Sequence, residues 1–164
     1  MNTRFFPTFA LLVCILYARS TFASPTIKWY PFNIGLDKAA SEKKYVYIDI
    51  YADWCSYCQV MEKTTFKNSM VINELSKNFI SIKLDADSKD SISWENQTVS
   101  VAQFSNQIGA VGLPFMLFLN NKREIIGSFP YFADEKTLLN LLTYISSGAR
   151  ERNETLDEFL GKPN

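Results

Sequence analysis

Two cysteines stand three positions apart in "YADWCSYCQV", residues 51–60. At that spacing Cys55 and Cys58 can form a disulfide staple, supply half of a metal site, or work as a dithiol redox couple. A structural zinc site takes four ligands, usually cysteine and histidine. The sequence has no histidine and no second such pair, so no metal is expected. The same lack removes a cysteine–histidine nucleophile, because no imidazole base exists. A bridge between residues three apart closes a very small loop and constrains the unfolded chain little. Redox work fits better. A helix N-terminus beside Cys55 would favour its thiolate by about 0.3 to 2 kcal/mol, enough to lower the pKa by up to roughly one unit. Cys58, one turn further on, could attack a mixed disulfide on Cys55 and release the product. The spacing predicts an exposed nucleophile, Cys55, and a sheltered resolving thiol, Cys58.

That placement needs a strand before the pair and a helix after it. "YVYIDIYA", residues 45–52, is β-branched and aromatic with one charge inside, the composition of a buried central strand. "QVMEKTTF" continues as a helix with Val60, Met61 and Phe66 directed inward. Helices are also expected over 32–44, 69–78, 100–109 and 134–146. Asp134 is placed as an N-cap of the last one and Gly148 as its stop. Strands are expected over 79–86, 114–119 and 124–129, the last two joined as a hairpin through "NNKR". Residues 87–99 are polar and are expected to form a loop. The charged end, from about residue 149, is expected to be a loosely packed appendage. This order predicts an α/β fold, one mixed sheet of four to five strands with helices on both faces.

With 164 residues the chain has room for one domain with a real core. A formal net charge of zero, without a basic stripe, argues against nucleic acid. Residues 1–23 read differently: Arg4, the apolar run 9–17 and a small-residue site at Thr21–Ala23 predict a secretory signal peptide. Cys14 would be lost with it, and residues 24–164 would form the working protein. The run is too short to span a bilayer comfortably. A periplasmic or secreted location follows, where disulfides persist. Sequons begin at Asn96 and Asn153, of use only in a eukaryotic secretory host.

"YIDIYADWCSYC" and "AVGLPFMLFLNNKREIIGSF" resemble the thioredoxin-like family, from about Asp37 to Ser146. The likeness is to periplasmic thioredoxin-related proteins of the sulfur-oxidation type and to the C-terminal domain of the membrane thiol:disulfide interchange reductase. It implies the thioredoxin fold and a thiol:disulfide oxidoreductase without a cofactor. Trp54 matches the family's tryptophan before the nucleophile. Pro114 matches its cis-proline, which would turn the Leu113 backbone towards a substrate paired like an added strand. Asp49 matches a buried acid near the resolving cysteine, able to relay a proton, and Lys83 matches the lysine that accompanies it. Tyr51 and Tyr57 are expected to ring the site with Trp54. The resemblance implies client proteins with disulfides, a membrane thiol:disulfide reductase as electron donor, and a monomer. Ser56-Tyr57 between the cysteines is neither Gly-Pro nor Pro-His. The expected couple is therefore moderately reducing, at roughly −200 to −270 mV. A disulfide oxidant or isomerase and a non-catalytic redox-sensing module remain the alternatives. The stretch between Lys83 and Pro114, longer than in compact thioredoxins, either shapes partner choice or is a tolerated surface insertion.

Overall fold

Seven residues of alternating direction, Tyr45–Tyr51, form the strand on which everything else is stacked (β2). The computed structural model describes residues 25–161; the expected signal segment, with Cys14, lies outside them. In chain order the elements are β1 (Trp29–Tyr30), α1 (Phe32–Glu42), β2, α2 (Ser56–Lys63), a 3-10 turn at Thr65–Lys67, α3 (Ser69–Asn78), β3 (Phe79–Asp85), β4 (Ser91–Trp94), β5 (Gln97–Ser100), α4 (Val101–Gln107), β6 (Phe115–Leu119), β7 (Ile125–Phe129), α5 (Glu135–Ser146), a second 3-10 turn at Arg150–Arg152, and α6 (Leu156–Phe159). Five strands make one sheet in the order β1-β3-β2-β6-β7. β1, β3 and β2 run parallel, and β6 and β7 pair antiparallel. This is an α/β thioredoxin fold with a mixed sheet.

Strand alternation divides the core in two. Val46, Ile48 and Ile50 point to one face, where α1, α4 and the β4–β5 hairpin cover them. Tyr47 points to the other, among Met61, Phe66, Leu75, Met116 and Leu138. Caps fix where the helices begin. Asn68 accepts from Met70 and Val71 N–H at the head of α3, Ser100 and Gln103 form a capping box on α4, and Asp134 accepts from Thr137 N–H, 2.7 Å, on α5. Gly148, with φ +71°, follows the end of α5 in a conformation that glycine adopts without strain.

Four expectations are corrected. Residues 87–99 are not all loop: β4 and β5 pair as a separate two-stranded sheet, turning at Glu95 and Asn96, both with positive φ. The hairpin is held because Ile92, Trp94 and Val99 are buried against the main core. Trp94 packs edge-on against Phe104 and Phe32, with ring centroids 5.2 and 6.2 Å away. Val60 is 44% exposed rather than inward, because α2 turns only Cys58 and Met61 to the core. α2 also stops at Thr64, and Phe66 reaches the core from the following turn, where Thr65 donates its hydroxyl to Ala133 O, 2.9 Å. Finally, the end of the chain is tied down. Ala149 is buried, Tyr144 donates to Glu154 O at 2.7 Å, and Tyr144 stacks edge-on with Phe159.

If the hairpin is part of the core, truncating its tryptophan must cost what a buried aromatic costs. Trp94→Ala is expected to destabilise the oxidised protein by about 3–5 kcal/mol. Urea unfolding measures it; a surface insertion would lose less than about 0.5 kcal/mol.

Candidate functional site

β2 ends at Tyr51, and four residues later Cys55 caps α2. Cys55 N–H donates to Ala52 O at 3.1 Å and Cys55 O accepts from Gln59 N–H, so the turn is closed on both sides. The Gln59 amide donates to Asp53 O, 2.6 Å. Cys55 Sγ accepts from Cys58 N–H at 3.1 Å, which satisfies one of the free donors of the first turn. Cys55 and Cys58 are joined as a disulfide. The expected contrast between an exposed Cys55 and a sheltered Cys58 is absent in this state: the residues are 5% and 8% exposed. The bond to Cys58 and the accepted N–H hold the Cys55 sulfur over the first turn of the helix.

Behind Cys58 lies a cavity of about 320 Å³ whose walls include Asp49, Tyr51, Gln59, Glu62 and Lys83. Register explains the meeting: Asp49 on β2 is level with Lys83 on β3 and with Met116 on β6. Glu62 reaches the same place from α2, one turn beyond Cys58. Asp49 is 2% exposed. Burial raises its carboxyl from the usual 3.8 to about 7; the Lys83 charge pulls it down and the Glu62 charge pushes it up. Lys83 is committed elsewhere, with Nζ 2.6 Å from Glu62 Oε2 and over the Tyr51 ring at 4.5 Å. Sequence reasoning found Asp49 and Lys83 but missed Glu62. The available signal was its position four residues after Cys58, which puts both on one helical face.

Of the other expected residues, Trp54 and Tyr57 neighbour the cysteines in the chain, and Leu113 and Pro114 stand just before β6. Trp54 is 69% exposed, and its indole N–H donates to Asp87 Oδ2 at 2.7 Å. Tyr57 is exposed and stacks with Phe132 from the β7–α5 loop, ring centroids 5.6 Å apart. The Leu113–Pro114 bond is cis, one residue before the Phe115–Ile50 pair that ties β6 to the end of β2. Trp54 and Leu113 share the wall of a second, smaller cavity of about 150 Å³. A larger cavity, about 550 Å³, lies between the start of α1 and β4; Tyr51 and Lys83 line it, but neither cysteine does. Among the described residues no cluster of three or more His, Cys, Asp or Glu side chains is placed to hold a metal ion.

A family model described as "Thioredox_DsbH: Protein of unknown function, DUF255" matches residues 16–161. The chain belongs to this thioredoxin-like family. It is 34% identical over 98 residues to the thiol:disulfide interchange protein DsbD of Pseudoalteromonas atlantica, a match covering 59% of this chain and 15% of that protein. The chain spans less than a fifth of the length of the curated relatives it matches. In fold it is similar to a thioredoxin from Thermus thermophilus, with TM-score 0.63, 19% identity, and coverage of 79% of this chain and 94% of that one. It is likewise similar to a DsbH oxidoreductase, with TM-score 0.61, 13% identity, and coverage of 80% and 92%. The chain is thus a thioredoxin-like protein of this family, with Cys55 and Cys58 joined as a disulfide. No helix among its described residues is long and apolar enough to cross a membrane.

The raised carboxyl of Asp49 fixes the sign of a pH effect. Below about pH 4 folded and unfolded chains both hold its proton. As pH rises towards 7, the unfolded chain releases it while the folded chain retains it, so folding stability falls; above that, both have released it. Oxidised wild type should therefore lose about 3–4 kcal/mol relative to Asp49→Asn between pH 4 and pH 8. Denaturant unfolding across that range measures the difference, and parallel curves would show that Asp49 titrates normally.

Proposed function

We propose that this protein is a thiol:disulfide oxidoreductase that reduces disulfides of client proteins outside the cytoplasm. The observation that carries the reading is the shared cavity of Cys58 and Asp49, which sets a carboxyl titrating near neutrality beside the second cysteine of the pair. In the reduced state, the Cys55 thiolate attacks one sulfur of a client disulfide. That forms a mixed disulfide and expels a client thiolate, which takes up a proton. Cys58 then loses its proton, with Asp49 as acceptor, and its thiolate attacks Cys55 Sγ. The second client thiolate leaves, two electrons have passed to the client, and the protein holds the Cys55–Cys58 disulfide. Lys83 and Glu62 set the charge that Asp49 feels and so act as positioning residues.

Client binding falls to Trp54, Tyr57, Leu113 and Pro114. An extended segment lying beside the Leu113 backbone pairs as an added strand, with Trp54 as a side wall. Electrons to reset the couple come from a membrane thiol:disulfide reductase. The family membership and the likeness of a 98-residue stretch to a thiol:disulfide interchange protein support this partner. The extracytoplasmic site rests on residues 1–23 as a cleaved signal, and the monomer on the resemblance to thioredoxins.

Reduction of insulin disulfides by the full-length protein with a thiol regenerant tests the activity; turnover is expected, lost on replacing Cys55 by Ser. Titration against glutathione tests direction. A couple at roughly −200 to −270 mV is expected, whereas a value near −120 mV would make it an oxidant. No turnover above background would make it a redox-sensing module instead.

A further inference from the structure

The two sulfurs of the disulfide are not equally placed for attack. Cys58 walls the cavity of about 320 Å³ and Cys55 does not. The rate of thiol–disulfide exchange depends on access to the attacked sulfur and on how well its partner leaves, a thiol of lower pKa leaving faster. Cys55 is the better leaving group. It caps α2, and its sulfur accepts the Cys58 N–H at 3.1 Å; both favour a thiolate there. Attack on Cys58 is thus the chemically easier direction, and only burial of Cys58 would close it. Burial does not do so: Cys58 is 8% exposed against 5% for Cys55, and the cavity it walls is about ten times the roughly 30 Å³ share of a water molecule. The same cavity holds a base. The Asp49 carboxyl is buried in its wall, and no hydrogen bond contributes to its proton affinity, so it is free to accept a proton from an occupant. Lys83 and Glu62 neutralise each other at 2.6 Å. That leaves Asp49 and Asp53 as the other charged residues of the wall, which disfavours an anion.

We propose that this cavity admits small thiols that carry no negative group, and that they reduce the disulfide by attacking Cys58 rather than Cys55. The inference rests on the reading of Cys55 and Cys58 as a redox couple and adds a second, small-molecule entrance to it. Ionised Asp49 takes the proton of the entering thiol. The thiolate bonds to Cys58 Sγ, the bond between the two cysteine sulfurs breaks, and Cys55 leaves as a thiolate over the first turn of α2. A second small thiol, its proton passing through water to the Cys55 thiolate, attacks the sulfur that the first one brought. The Cys58 thiolate leaves and takes back the proton from Asp49. Two electrons have passed from two thiols to the pair, and a small disulfide diffuses away. Client proteins, too large for the cavity, react at Cys55, so clients and small reductants use different sulfurs of one bond.

The test mixes oxidised full-length protein with 2-aminoethanethiol. Samples are quenched in acid from milliseconds onward and free thiols are blocked. Fragmentation of the peptide that carries both cysteines then locates the adduct. It should appear first on Cys58, with Cys55 blocked. An adduct appearing first on Cys55 overturns the inference. Second-order rate constants of reduction are also compared with those of 2-mercaptoethanesulfonate, and the ratio is referred to that for a disulfide-closed peptide of residues 51–60, which has no cavity. The protein should favour 2-aminoethanethiol over the sulfonate about two- to fivefold more than the peptide does, the effect of one partly exposed charge. Equal ratios overturn the cavity route, whether or not an adduct accumulates, as does failure of 2-aminoethanethiol to reduce the protein. None of these results touches the oxidoreductase reading, which fails only if the same preparation shows no insulin turnover.

Discussion

A carboxyl group buried in the middle of the central strand sets the terms for the rest of the molecule. Ionised, Asp49 would carry a desolvation penalty of several kcal/mol even after relaxation, and strands on both sides leave it 2% exposed. A lysine directly level with it on β3 could have settled the matter as a plain ion pair. Instead Lys83 is held by Glu62 at 2.6 Å, and Asp49 keeps its proton up to about pH 7. A group with that pKa both takes up and gives back a proton at neutral pH, the condition under which acid–base assistance is most effective. The three charges therefore belong together. Removing Glu62 would free Lys83 and draw the Asp49 carboxyl down.

The strand that carries Asp49 also separates two cavities. Neighbouring residues of β2 point to opposite faces of the sheet. Asp49 and Tyr51 line the cavity behind Cys58, while Ile50 lines the smaller one shared by Trp54 and Leu113. The cavity behind Cys58 and the one shared by Trp54 and Leu113 thus sit on opposite sides of one strand. The segment after β3 secures the Trp54 side. Asp87 fixes the Trp54 indole, and the hairpin that follows is bound into the core through Trp94. The long stretch between Lys83 and Pro114 is therefore built into the core through Ile92, Trp94 and Val99 rather than lying on the surface as an insertion.

The main strands and helices were legible because their cause is local: alternating or helical apolar spacing, with a cap at Asp134. β1 was missed because two residues carry no readable period. The hairpin at 91–100 was missed for a different reason. Ile92 and Trp94 alternate with Ser91 and Ser93, yet the turn uses Glu95-Asn96 rather than a glycine, with both residues at positive φ, so the usual turn signal was lacking. At the site, Cys55, Cys58, Trp54 and Pro114 could be read from motif and resemblance. Glu62 offered only its spacing of four from Cys58, and what makes it matter, its approach to Lys83 across 21 residues of sequence, is not local. Val60 was misassigned because a short helix beginning at the surface buries few positions.

The central claim is that Asp49 serves the second cysteine and not the first. Rapid mixing of reduced protein with a disulfide-linked peptide resolves two steps, formation of the mixed disulfide on Cys55 and its resolution by Cys58. Replacing Asp49 with Asn should leave formation within about twofold of wild type and slow resolution at pH 7 by at least about tenfold, at the modest end of what a positioned acid–base group contributes. Equal slowing of both steps, or of neither, would contradict the account and leave Asp49 as a buried structural residue.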